Sequence, residues 1–177
     1  MAIVNAVSKL YGNVKIVDRI NASSSDGQLE KWIALSGNEL LYFKGCTVSY
    51  DNELLYECES ECIASRIAEL LGIENVVKYD MDELIIGSSV NKVCVSHDFI
   101  RDGVFTTYAE AIRDIAKYQG IEKYNMVVDY DRHLQSSINK ILLFDMIIGN
   151  DDRHLNNLAI IDDGILRYIP FLTMDLQ

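Results

Sequence analysis

Residues 147–161 read IIGNDDRHLNNLAII, and what this stretch connects decides the fold. One apolar run stops at Gly149 and another starts at Leu158. Between them lie Asn150, Asp151, Asp152, Arg153, His154, Asn156 and Asn157. A polar loop pinned at both ends by apolar segments is where rigid scaffolds present binding and catalytic groups. The same residue types also bond their own backbone in an ordinary connection, so composition alone leaves both readings open. The tetrapeptide DRHL occurs twice, at 131–134 and 152–155. The first copy opens an amphipathic helix whose stripe is Leu134, Ile138, Ile141 and Leu142. Asp131 is then a first-turn acid favoured by the helix dipole, and His133 stands off the stripe. The second copy is the candidate for chemistry.

Outward from this loop, the chain's 177 residues suffice for one domain or two small lobes, and 49% hydrophobic content can build a core. Lys+Arg 16 against Asp+Glu 27 gives a net charge of −11, which argues against a nucleic-acid groove. No apolar run approaches the ~20 residues of a membrane span. The first residues, MAIVNAVSKLYGNVKIV, lack a basic segment ahead of a long apolar core, so no signal peptide is read. Cys46, Cys58, Cys62 and Cys94 form no CxxC pair, and free thiols in a reducing cytoplasm are expected.

The first half is rich in strand patterns. NVKIVDRI (13–20) alternates, and KWIALSG and ELLYFKG, joined by SGN (36–38), read as a hairpin. In 56–73, Ile63, Ile67, Leu70 and Leu71 fall on one helical face that Gly72 closes. NKVCVSHDFI (91–100) is a further strand. The second half reads as helical, with one helix over 106–120 ending at Gly120 and a longer one over 129–150 ending at Gly149. Its last turns, ILLFDMII, are apolar on nearly every side, as in a buried helix. NLAII and ILRYI then form a small hairpin, and the two halves join near 96–103.

Asp152 and Asn157 are five positions apart, a spacing that also occurs in kinase catalytic loops, where the Asp orients the substrate hydroxyl and the Asn holds Mg²⁺. The pattern Asn150-x-Asp152-x-His154-x-x-Asn157, after FDMIIG and before LAII, resembles the catalytic loop of HipA-like serine/threonine kinases, relatives of the phosphatidylinositol-kinase-like branch. SSSDGQLEKWIAL is similar to that family's phosphate-binding loop, with Gly27, Gln28 and Lys31 at its recognisable positions. LYFKG resembles the strand with the nucleotide-binding lysine, here Lys44. ECIASRIAELLGI resembles the helix whose glutamate pairs with that lysine, here Glu61, with Glu57 as the rival. KVCVSHDFI resembles the strand entering the hinge. The resemblance covers about 21–172.

The resemblance implies an α+β, protein-kinase-like two-lobe architecture. Residues 1–100 would be an N-lobe β-sheet with one helix, and 101–177 a partial, mostly helical C-lobe with the catalytic loop. It implies ATP and Mg²⁺ as cofactors, Asp152 as the catalytic acid/base, His154 bracing its loop, and Asn157 as a metal ligand. It also implies a cytoplasmic enzyme with a protein substrate or an antitoxin-like or split-kinase partner. The family carries a second metal Asp after a proline and two apolar residues. Counting from Pro170 in IPFLTMDLQ puts Thr173 there, and Asp175 is the substitute two residues later. The expectation is therefore a kinase, or a remnant of one, with weak nucleotide binding and little transfer. The alternatives are a catalytically inactive nucleotide-binding or interaction module, and a metal-dependent hydrolase using Asp152, His154, His133 and Asp131.

Overall fold

The computed structural model describes residues 3–20, 29–46, 56–73, 76–98, 104–130, 132, 135–150, 158–162 and 166–170. The chain divides into two compact units, Met1–Ser65 with Lys78–Phe99 and Arg66–Val77 with Ile100–Gln177.

The first unit is built on six strands: β1 (Val4–Ser8), β2 (Gly12–Ile20), β3 (Lys31–Ser36), β4 (Glu39–Gly45), β5 (Asp80–Ile86) and β6 (Ser89–His97). They close into an antiparallel barrel in the order β1-β2-β3-β4-β6-β5. Closure depends on β1, which pairs with β2 on one side and with β5 on the other, Val7 opposite Ile85 and Ser8 opposite Leu84. The Ser8 hydroxyl donates to the Asp82 carboxylate, and the Lys9 amide to the Glu83 carbonyl at 3.1 Å, which fixes that seam. Two-residue turns join β3 to β4 and β5 to β6, with Gly37 and Gly87 in the left-handed region that such turns require. Strand alternation then sorts the side chains. Ala6, Val14, Ile16, Trp32, Ala34, Leu41, Phe43, Leu84, Val93 and Val95 fill the interior.

This barrel corrects the expected two-lobe class of an N-lobe sheet plus a mostly helical partial C-lobe. The N-terminal segment, which carries no signal-peptide pattern, supplies the strand that closes the sheet. DMDELII is the strand β1 closes upon. Nor is the second unit built of helices alone. It contains a three-stranded sheet, β7 (Val104–Thr107), β8 (Leu158–Asp162) and β9 (Leu166–Pro170), in that order. The hairpin of NLAII and ILRYI is present, but its third strand comes from a segment expected to start a helix.

Helix α1 (Glu57–Leu70) forms where periodicity placed it, and Gly72 closes it, with the Ile73 amide donating to the Ala68 carbonyl at 3.0 Å. Its inward face is the opposite of the one expected. Ile63 is 60% exposed and Leu70 and Leu71 are exposed too, whereas Cys58, Glu61, Ala64, Ser65 and Ala68 are buried. The expected helix over 106–120 also breaks. A capping box between Thr107 and Glu110 starts the short α2 (Tyr108–Ala111), and Asp114 then adopts a left-handed conformation ahead of a 3-10 turn. Gly120 begins α3 (Gly120–Tyr130) rather than ending a helix; of the expected 129–150 helix, residues 129 and 130 belong to α3 and the described remainder holds α4 (Gln135–Ile148). Tyr108, Ile112, Ile115, Val127, Ile138 and Ile141 form the core of this unit. The α4 sequence is not buried all round. Phe144 and Asp145 are buried, but Leu143 and Ile147 are exposed and Met146 is 80% exposed.

Candidate functional site

Strand β4 alternates Phe43 into the barrel and Lys44 onto its outer face. Directly opposed residues share a face, so Lys31 on β3, Lys44 on β4 and Cys94 on β6 form one row across three strands. Both lysines are buried, Lys31 at 7% exposure and Lys44 at 4%. Two ammonium groups facing each other across a strand pair repel, and a buried lysine is tolerated only with anionic compensation. Helix α1 supplies it. Glu61, 6% exposed, accepts from Lys44 with Oε1 2.6 Å from Nζ. Ala64 and Ala68, one and two turns beyond Glu61, lie on the same buried face of α1. Glu57, the rival acid, keeps a buried Oε2 with no hydrogen-bond partner among the described residues. One turn before Cys62, Glu59 pairs with Lys92, which holds its carboxyl below the usual range.

The groups around this pair are kept neutral. Burial first, then the Glu61 charge, pushes the Tyr79 phenol well above its ordinary value. The same two causes push the Cys94 thiol well up, with Lys44 opposing them. On the same face, burial and the Asp98 carboxylate push the Tyr42 phenol up to about 12. An acid whose folded pKa is raised contributes stability that is complete below its unfolded pKa and is lost as pH rises through the folded one. Unfolding in alkali should therefore begin near pH 9, where free thiols ionise, and steepen between about 10 and 12 as unfolded tyrosines ionise. Absorbance at 295 nm followed alongside circular dichroism checks this. Tyr42 and Tyr79 should ionise only as ellipticity is lost, and Tyr42→Phe should make the alkaline loss shallower. Full ionisation of all ten tyrosines near pH 10 with ellipticity intact would contradict the burial described.

Sequence reasoning placed Lys31, Lys44 and Glu61 among the site residues, and the structure brings the three to one face. Gly27, Gln28, Asp152, His154, Asn157, Thr173 and Asp175 lie outside the described residues, as do Asp131 and His133. One residue beside the second DRHL copy was missed. Asp145, 5% exposed inside the apolar run of α4, accepts from the Asn150 side-chain amide at 2.9 Å. The Asn150 backbone amide donates to the Asp145 carbonyl, also at 2.9 Å, with Gly149 left-handed between them. Asp145 thus fixes the backbone at Gly149 and Asn150. A lone acid in ILLFDMII was the available signal, since a buried carboxylate without a task is rare.

Among the described residues no group of three or more His, Cys, Asp or Glu side chains could hold a metal ion, and no helix is long and apolar enough to cross a membrane. No family model matches the sequence, and no curated protein does. Among solved structures, the chain is similar to the crystal structure of a Helicobacter pylori proinflammatory kinase, CtkA. The TM-score is 0.65 and the identity 15%, over 89% of this chain and 55% of that one. The chain therefore spans about half the length of that kinase, and the likeness shows a shared fold.

Proposed function

We propose that this chain binds Mg²⁺-ATP beside Lys31, Lys44 and Glu61 and serves HipA-like phosphoryl transfer to a serine or threonine hydroxyl of a protein. The observation that carries the reading is the buried Lys44–Glu61 pair on the face that Lys31 shares. A cation held at fixed position by a carboxylate is the arrangement that orients a lysine toward the α/β-phosphates. The donor set fits a polyphosphate: two lysines share one face of a chain whose net charge is −11. The fold likeness to a kinase supports the same reading.

Within it, Lys44 holds phosphate oxygens, Glu61 sets the direction of Lys44, and backbone amides near Gly27 and Gln28 cover the phosphates. Asp152 accepts the proton of the attacking hydroxyl, and His154 braces the loop that Asp145 and Asn150 start. Asn157 and Asp175 are the residues that would hold Mg²⁺, which when bound neutralises charge on the phosphates. A cytoplasmic setting and a protein partner belong to the same reading.

A second reading is favoured by one feature, Thr173 at the position of the family's metal carboxylate. It keeps nucleotide binding without transfer. Calorimetric titration with Mg²⁺-ATP, paired with incubation in radiolabelled ATP, separates the two. Weak binding is expected, reduced at least tenfold in Lys31→Gln. A low level of label on protein that disappears in Asp152→Ala supports transfer. Binding with no label supports the second reading, and the absence of binding overturns both.

A further inference from the structure

We propose that Cys46 and Cys58 form a redox-sensitive clasp that fastens the first turn of α1 to the end of β4 and so sets how firmly Glu61 is held against Lys44. Free thiols were expected, but the structure joins these two cysteines in a disulfide, with Cα atoms 5.8 Å apart, inside the range that such a bond requires. The placement is what gives it a task. Cys46 follows Lys44 by two residues and Cys58 precedes Glu61 by three. The bond therefore ties together the two backbone segments whose side chains make the buried ion pair. The other two cysteines, Cys62 and Cys94, stand outside this bond.

The geometry also provides for the reduced state. The Cys58 sulfur lies 3.5 Å from the Lys44 carbonyl oxygen. A disulfide sulfur has no proton to donate, so only the reduced Cys58 thiol can make this contact. Reduction thus exchanges a covalent tie for a weak S–H···O contact to the very residue that Glu61 grips. Access is asymmetric: Cys46 is half-buried, whereas Cys58 is buried. A dithiol reductant attacks through one thiolate at Cys46. The Cys46–Cys58 bond breaks, its electron pair leaves on the Cys58 sulfur, and that thiolate takes up a proton. The reductant's second thiol then displaces Cys46, which is also protonated, and leaves as a cyclic disulfide. Two electrons and two protons pass from reductant to protein. The reverse uses a small-molecule disulfide as oxidant. In a reducing compartment a disulfide of this kind is transient and reports redox state.

The consequence for nucleotide affinity rests on the Mg²⁺-ATP reading above, so the test has two arms. Alkylation of the denatured chain should find two reactive thiols after treatment with oxidised glutathione and four after dithiothreitol, with the Cys46 and Cys58 peptides linked in the first case. Hydrogen exchange should then show amide protection over 57–65 falling at least tenfold on reduction. Cys46→Ser should sit at the reduced level and ignore dithiothreitol. In the second arm, reduction and Cys46→Ser should weaken Mg²⁺-ATP binding several-fold. Four thiols after oxidised glutathione, or equal protection in both redox states, overturns the clasp. If neither state binds nucleotide, the functional reading fails, while the exchange arm still decides the clasp.

Discussion

Replacing Lys44 by methionine should destabilise the folded chain by about 3–5 kcal/mol, because it leaves the Glu61 carboxylate buried without its countercharge. The Glu61 side chain is 7% exposed, so water cannot supply what the ammonium supplied. Glu61→Leu should cost a comparable amount for the mirrored reason. The double variant Lys44→Met/Glu61→Leu should recover most of the loss, since removing both charges removes both desolvation penalties. Urea unfolding of the four proteins gives the coupling energy directly. A single-variant cost under about 1 kcal/mol is what an exposed pair would give, and would show that the site is wet. Function should separate from stability in the same series. On the proposed Mg²⁺-ATP reading, the double variant should regain its fold without regaining nucleotide affinity, because an apolar pair offers phosphates nothing.

Trp32→Ala should cost a similar 3–5 kcal/mol through the void it opens in the barrel. Trp32 is the chain's single tryptophan and is 2% exposed at the centre of the interior cluster. Its ring edge lies 3.5 Å from where a Cβ on Gly45 would sit, with the Glu30 carbonyl oxygen 3.3 Å from the same point. Its Nε1 has no hydrogen-bond partner among the described residues. Trp32→Phe should therefore cost less than truncation by about half, since the smaller ring leaves a gap but also removes a buried N–H left unsatisfied. Thermal unfolding followed by circular dichroism checks both. Equal losses for Phe and Ala would mean that ring packing contributes nothing to the barrel.

The hairpin of β3 and β4, the site and end of α1, and the β8–β9 hairpin were legible because each rests on local chemistry: a two-residue turn, a 3.6-residue period, a glycine stop. The closure of the barrel was not, because the paired residues of β1 and β5 are 76 and 78 positions apart and neither strand carries a local signal of its partner. The inward face of α1 was misjudged for a physical reason. Periodicity assumes that the apolar stripe is buried, but here the outer face of the barrel offers lysines, so an acid and small residues turn inward and Ile63 turns out. Lys31, Lys44 and Glu61 were legible only through ordered resemblance, since each alone is an ordinary surface charge. Asp145 was hidden by its apolar neighbours, and Cys46–Cys58 by the absence of a short cysteine motif.

The two-residue turn at Gly37–Asn38 has a consequence for how this sequence can drift over generations. With strands of period two, the number of residues in that turn sets which side of the sheet each following residue faces. A single inserted or deleted codon there would leave every amino acid of β4 in place yet exchange the roles of Phe43 and Lys44, driving an ammonium into the barrel and a phenyl ring out of it. Point substitutions at the turn are mild by comparison. Descendants of this chain can thus vary Asn38 more readily than the length of the turn, and a lineage in which the length has changed by one has abandoned the Lys31–Lys44 row.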